Sequence, residues 1–503
     1  MQQAGSPLAH EKPLKIKINF AYMVSLNISK QFMEAEKMTD WLQKATEQKE
    51  NYLNDLIALI KIPSVRDDTQ ASEKYPLGPA PAQALSAFLE MAEQDGFKTK
   101  NIDNLVGYAE WGDGDETLAI LAHLDVMPAG NGWDSDPFDP IIKDGNLIGR
   151  GASDDKGPGM AAYYAMKTLK DMGVVPNKKV RFIVGTDEES NWTGMKRYFE
   201  VEPEPTYGFS PDAEFPVING EKGQVSLLLD YPGSNTGDDL LRSFKAGLRF
   251  NMVPREADAI VEVGDNEAVA TAFTAFLDAN PVEGECVLEA DGLHLQVIGK
   301  AAHGMEPEKG INAATYLATF LQQLHLGGQA KQFVDLVANY LHLDTRFHNF
   351  MGAYTDPVMG DLTVNVGLLS FDAAQGGQID MNFRYPKGVT PDGLQAKVAA
   401  VAKDYGMTVH YEKFEVPHYV PADDPLVQTL MKAYIDQTGE TDAKPEVVGG
   451  GTYGRLMARG VAFGALMPST PNTMHQANEY QPVADLLKSM AIYMEAINDL
   501  VTK

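Results

Sequence analysis

Five short segments of this chain hold side chains that can bind a divalent cation. They read AHLDV (His123, Asp125), GRGASDDKG (Asp154), TDEES (Glu188, Glu189), SPDAEFP (Asp212) and TPNTMHQANE (His475), and each follows an apolar run. Imidazole and carboxylate are the nitrogen and oxygen donors that zinc and related ions take. A carboxylate such as Asp154 has two oxygens and can bridge ions held about 3.5–4 Å apart. A histidine ligand usually donates its second ring N–H to a carboxylate, and Asp125 is spaced to serve His123 in that way. Glu188 and Glu189 are adjacent on a turning segment, so one can hold a metal while the other meets substrate or water. Taken singly, each has a plainer reading as a satisfied core histidine, a helix cap or an acidic turn. It is their conjunction at strand ends that points to a site.

Such residues need elements to converge them. Thr117–Ala122 and Lys179–Gly185 read as short buried strands running into His123 and into Glu188. Residues 157–172 read as a helix stopped by Gly173, and 482–500 as the last helix. Strands alternating with helices predict an α/β layered domain with a largely parallel, doubly wound sheet, whose ligand crevice lies at the carboxyl ends of the strands. After Pro216 the pattern changes to many alternating short runs with helices between them, an α+β insertion over 217–416. His475 joins the other candidates only if the chain then returns. The expected organisation is therefore an extension over 1–37, a split catalytic domain over 38–216 and 417–503, and an inserted lid domain over 217–416.

The whole chain sets further bounds. Its 503 residues exceed one ordinary core. Net charge of −28 argues against nucleic acid, whose phosphates need concentrated Lys and Arg. The single Cys286 excludes an internal disulfide and a thiolate-rich zinc site, and it fits a reducing, cytoplasmic compartment. The stretch 18–28 is too short and too polar to span a bilayer. Thus neither nucleic acid nor membrane is expected as a partner.

As a set, HLDVMPAG, GRGASDDKGP, TDEES and SPDAEFP resemble the di-zinc exopeptidase and aminoacylase family of metallopeptidases, and within it the PepV-type dipeptidases. The resemblance runs from about Met38 to the end. It implies two Zn²⁺ per chain, with Co²⁺ or Mn²⁺ as possible substitutes. His123, Asp154 and Asp212 match ligand positions, with Asp154 bridging; Glu189 and His475 match the ligands of the other metal. Glu188 matches the general base and Asp125 the orienting partner of His123. A cis peptide is implied at Asp154-Asp155. In the insertion, His303 (KAAHGMEP) matches a residue that helps hold the oxyanion, Arg384 (MNFRYP) one that clamps the substrate carboxylate, and Asn251 (RFNMVP) a further substrate contact. Gly450 and Gly451 could offer backbone N–H groups, although the loop reads GGGTYGR where alanine is expected before the arginine.

The expected activity is hydrolysis of dipeptides with free amino and carboxyl termini, by a metal-bridged hydroxide with Glu188 as base. Two rivals are deacylation of N-acyl amino acids and metal-dependent peptide binding without turnover. The large insertion could supply its own histidine, so a monomer is expected.

Overall fold

The strand Thr117–His123 organises the first half of the molecule. Its sequence, TLAILAH, is apolar on both faces, as a strand covered from both sides must be. Lys179–Gly185 and Tyr207–Ser210 flank it, both parallel to it. The structure is a computed structural model and describes residues 39–503; the expected extension over 1–37 lies outside the described residues.

The full sheet runs Lys98–Ile102, Val106–Trp111, Lys179–Gly185, Thr117–His123, Tyr207–Ser210, Gly460–Ala462, Ile218–Glu221 and His418–Tyr419, with Glu446–Val448 pairing Ile218–Glu221. Its centre is parallel, as the alternating strand and helix pattern requires, and its flanks are antiparallel. Leu118, Ile120 and Ala122 pack on one side, in the same core as residues of the helices Pro79–Gln94, Lys156–Asp171 and Val483–Thr502. Ala119 and Leu121 pack on the other, with Met195 and Tyr198 of the helix Thr193–Val201 and with Tyr453 and Met457. The result is three layers, with His123 at the carboxyl end of the central strand.

A second nine-stranded sheet is antiparallel and occupies the residues between. Its strands alternate in the manner of a sheet with one apolar face. In Gly376–Tyr385, Ile379, Met381, Phe383 and Tyr385 join the core beneath helices such as Ala313–Leu321 and Pro391–Ala402. Asp380, Asn382 and Arg384 point the opposite way and are nevertheless buried. That second face is polar, which marks it as a functional surface rather than a core. Two short links join the sheets. Lys222 separates Ile218–Glu221 from Gly223–Tyr231, and residues 416–417 separate Phe414–Glu415 from His418–Tyr419.

The apolar run 461–467 forms two strands rather than one. Gly460–Ala462 pairs in the main sheet, while Ala465–Leu466 pairs Ala213–Glu214. The break falls at Gly464, where φ is +69° and a Cβ would lie 2.2 Å from the Phe215 ring, so only glycine fits.

Lys156–Asp171 begins directly after the Asp154 loop, and Gly157 is what lets them meet. Its N–H donates to the Gly151 carbonyl, its own carbonyl accepts from the Tyr52 hydroxyl, and a Cβ there would lie 2.0 Å from the Ala152 oxygen. We expect Gly157→Ala to lower the unfolding free energy by about 1–3 kcal/mol, the usual cost of overpacking. Urea titration of the metal-free protein measures this; an unchanged midpoint would show that the loop yields freely.

Candidate metal centre

Asp154 leaves its loop with each carboxylate oxygen against a different histidine. Oδ1 lies 2.9 Å from His123 Nε2 and Oδ2 lies 2.8 Å from His475 Nε2. The remaining candidates complete two groups around these pairs. Asp212 Oδ2 is 3.7 Å from His123 Nε2, and Glu189 Oε1 is 3.0 Å from His475 Nε2. The two triads, His123–Asp154–Asp212 and Asp154–Glu189–His475, each hold their ligand atoms within 4.8 Å of one another and share Asp154. The peptide bond Asp154-Asp155 is cis.

His123, Glu188, Glu189 and Asp212 arrive from ends of the parallel centre, whereas Asp154 and His475 come from loops. His123 closes Thr117–His123, Glu188 and Glu189 follow Lys179–Gly185, and Asp212 follows Tyr207–Ser210. Asp125 serves more than one neighbour. Its main-chain carbonyl is 2.9 Å and its Oδ1 3.4 Å from His123 Nδ1. Its two carboxylate oxygens also accept the backbone N–H groups of Glu188 and Glu189, both at 3.1 Å. Asp125 therefore ties the two segments together and orients both.

The electrostatics call for cations. Burial raises the carboxyl groups of Glu188, Glu189 and Asp212, and neighbouring carboxylates raise them further. Burial works against charge on His475, but Asp154 and Glu189 outweigh it and push its pKa up to about 10. Glu189 Oε1 is also buried without a hydrogen-bond partner, despite its closeness to His475. Crowded carboxylates, two imidazoles and an orphaned oxygen fit divalent ions bound through nitrogen and oxygen. Cys286 lies on the outer strand Glu283–Glu289 of the second sheet.

The remaining candidates lie in and beside the second sheet. His303 Nδ1 accepts the Met305 N–H at 3.1 Å, so the ring proton of the neutral form sits on Nε2. Burial lowers its pKa to about 4, and the charges of Arg384 and His475 act in the same direction. Asn251 lies beside His303. Its carbonyl accepts the Gly304 N–H at 2.7 Å, and Met252 bridges His303. Arg384 Nε donates to Asn382 Oδ1 at 3.1 Å and Nη1 to the Gly449 carbonyl at 2.6 Å. The glycine loop thus meets Arg384 through Gly449. A Cβ on Gly450 would meet nothing within 4 Å, whereas one on Gly451 would lie 2.5 Å from Arg455 Nη1.

Several neighbours escape a reading of spacing alone. Asp155 Oδ2 accepts the His123 N–H at 3.1 Å. Tyr453 is buried edge-on to the His123 ring, 6.5 Å between centroids. Asp187 caps the helix Thr193–Val201 through the N–H groups of Thr193 and Gly194, which separates a structural acid from the two glutamates after it. Glu479 receives the Asp154 N–H. Its only signal was its place four residues beyond His475. Away from this centre, His294 groups with Glu289 and Asp291 on an exposed hairpin.

Comparison with known proteins gives the family and the fold. A protein of Staphylococcus haemolyticus named "Putative dipeptidase" is 45% identical over 469 residues, which cover 92% of this chain and 99% of the relative. Among solved structures, human carnosine dipeptidase 1 shares the fold with a TM-score of 0.55 at 15% identity, covering 92% of this chain and 98% of that one. The di-peptidase Dug1p of Saccharomyces cerevisiae does so with a TM-score of 0.52 at 14% identity, covering 91% and 98%. Residues 119–499 match peptidase family M20/M25/M40. With a match over most of its length and a full-length relative at this identity, the chain belongs to peptidase family M20/M25/M40 and is a hydrolase.

Proposed function

We propose that the chain is a zinc-dependent dipeptidase that hydrolyses dipeptides with both termini free. The observation that carries the reading is Asp154, one oxygen on each histidine, with Glu188 on the adjoining strand end. The name of the Staphylococcus haemolyticus relative supports the substrate class. His123, Asp154 and Asp212 would hold one ion, and Asp154, Glu189 and His475 the other. When bound, such ions polarise a carbonyl and lower the pKa of water to about 7.

The chain's own residues do the rest. Glu188, held by its N–H on Asp125, takes the proton of the attacking water and delivers it to the leaving amine. His303, neutral and protonated on Nε2, donates to the oxygen that gains charge. Arg384 holds the substrate carboxylate with guanidinium donors left over from Asn382 and Gly449. Asn251, Gly450 and Gly451 line the substrate end. In this reading 38–216 and 417–503 are the catalytic domain and 217–416 the lid. His303 comes from the same chain as His475, which supports a monomer, and the lone Cys286 supports a cytoplasmic location. Among the described residues no helix is long and apolar enough to cross a membrane.

The test is a mixed dipeptide library assayed beside N-acetylated counterparts, with metal content measured in the same sample. We expect cleavage of free dipeptides, loss of it on chelation and recovery with Zn²⁺. Preference for the N-acetylated forms would identify a deacylase, and binding without turnover would sink the hydrolytic mechanism. Glu188→Ala should lower kcat about 10²–10⁴-fold with two ions still bound; a near-normal rate would remove Glu188 as base.

His303 gives a pH prediction. Its folded pKa lies near 4 and its unfolded value at 6.5, so the unfolded chain binds the proton first. Its contribution to stability is therefore lost as pH falls from about 6.5 towards about 4. His303→Gln should lower kcat about 10²–10³-fold and leave the acid limb of kcat/KM unmoved above about pH 5. An inflection near 6.5 that vanishes in the variant would mean that the imidazole titrates in catalysis.

A further inference from the structure

The loop Gly149–Asp154 has no regular hydrogen-bond ladder, yet Arg150, Ala152, Ser153 and Asp154 are buried. Buried backbone N–H groups need acceptors. One residue supplies most of them. Glu479 is 0% exposed, and its Oε1 accepts from the N–H groups of Gly151 (3.1 Å), Ser153 (2.8 Å) and Asp154 (3.1 Å). Its main-chain carbonyl accepts from Gly149 at 3.0 Å. Its Oε2 lies 2.6 Å from Arg150 Nη1. A carboxylate that accepts several backbone N–H groups is a strong, charge-assisted anchor.

Arg150 extends the anchor to a third segment. Its Nη2 reaches the Pro128 and Ala129 carbonyls at 3.3 and 3.5 Å, and its guanidinium lies 5.4 Å from the centroid of the Trp133 ring. Trp133 in turn donates to Ala129. On the other side, Gln481 accepts from the Ser153 hydroxyl, and Tyr480–Pro482 pairs Asn146–Ile148. The 123–133 segment, the 149–154 loop and the 475–482 segment therefore meet at one buried ion pair. They are the segments that carry His123, Asp154 and His475.

We infer that Glu479 is the positioning residue of the metal centre: through Arg150 and the loop N–H groups it sets where the Asp154 carboxylate stands relative to His475. It touches neither substrate nor cation. The inference rests on the two-ion reading above. Glutamine has the right shape but the wrong donors. In either amide orientation its NH₂ faces loop N–H groups or Arg150. Aspartate keeps the charge but draws it back by one methylene.

The experiment measures Zn²⁺ binding in chelator-buffered solutions, and the visible spectrum of the Co²⁺-loaded protein, for wild type, Glu479→Gln, Glu479→Asp and Glu495→Gln. Glu495 is a buried acid of the last helix that bonds Lys432 and Gln437 away from the site, so its variant reports a purely structural loss. We expect wild type to take two ions. Glu479→Gln should bind one of them 10–100-fold more weakly, the usual effect of losing a group behind a ligand, and its Co²⁺ spectrum should change. Glu479→Asp should fall between, and Glu495→Gln should match wild type. Wild type taking no ions would overturn the metal reading itself. A Glu479→Gln isotherm and spectrum equal to wild type, or the same loss in Glu495→Gln, would overturn the positioning role alone. If Glu479→Gln does not fold, Glu479→Asp carries the comparison; failure of both to fold would make the residue a folding determinant and end the proposal.

Discussion

One carboxylate serves two histidines. Asp154 stands 2.9 Å from His123 and 2.8 Å from His475, residues separated by most of the chain, and that single demand explains much of the architecture. The chain must return to the first sheet after two hundred residues or so elsewhere, and it does so at its edge as His418–Tyr419 and then at its parallel centre as Gly460–Ala462 beside Tyr207–Ser210. A parallel sheet suits this demand because it delivers consecutive strand ends to one edge. His123, the two glutamates and Asp212 all use that edge. The cost is a cluster of carboxylates partly withdrawn from water, whose raised pKa values record how badly they sit together without positive charge.

The second sheet answers a different need. A face packed under helices is apolar, so polar residues buried on the opposite face require another explanation. Asn382 and Arg384 have one, because Arg384 reaches Gly449 across the gap between the sheets. His303, exposed beside that face rather than part of it, has its pKa lowered by desolvation and by the positive charges of Arg384 and His475. Neither residue would be set up for chemistry by its own sheet alone.

Much of this was legible in the sequence. The apolar runs before His123 and Glu188 gave away their strands, because a central parallel strand must be apolar on both sides, and the α/β class with a parallel centre followed from the alternation. The metal candidates stood out because donor chemistry restricts residue type, whereas a core restricts only size and polarity. Other features left no mark on spacing. The division of 461–467 depends on Phe215 pressing against Gly464, a contact between distant residues. The double service of Asp125 is equally hidden, since an H-x-D spacing suggests a partner for the histidine but says nothing of the N–H groups of Glu188 and Glu189. Backbone acceptors of this sort are set by where loops cross, and loops carry little periodicity.

The two sheets are joined by Lys222 and by residues 416–417, lying side by side, and Arg455 Nη2 bonds the carbonyls of both Lys222 and Val416. The paired tethers, with the guanidinium across them, are the short link between the two sheets. Every ligand candidate of the metal centre stands on one side of that link, and Arg384 and His303 stand on the other. The residues proposed to hold ions and those proposed to grip a peptide are thus carried by different sheets and joined by that short link.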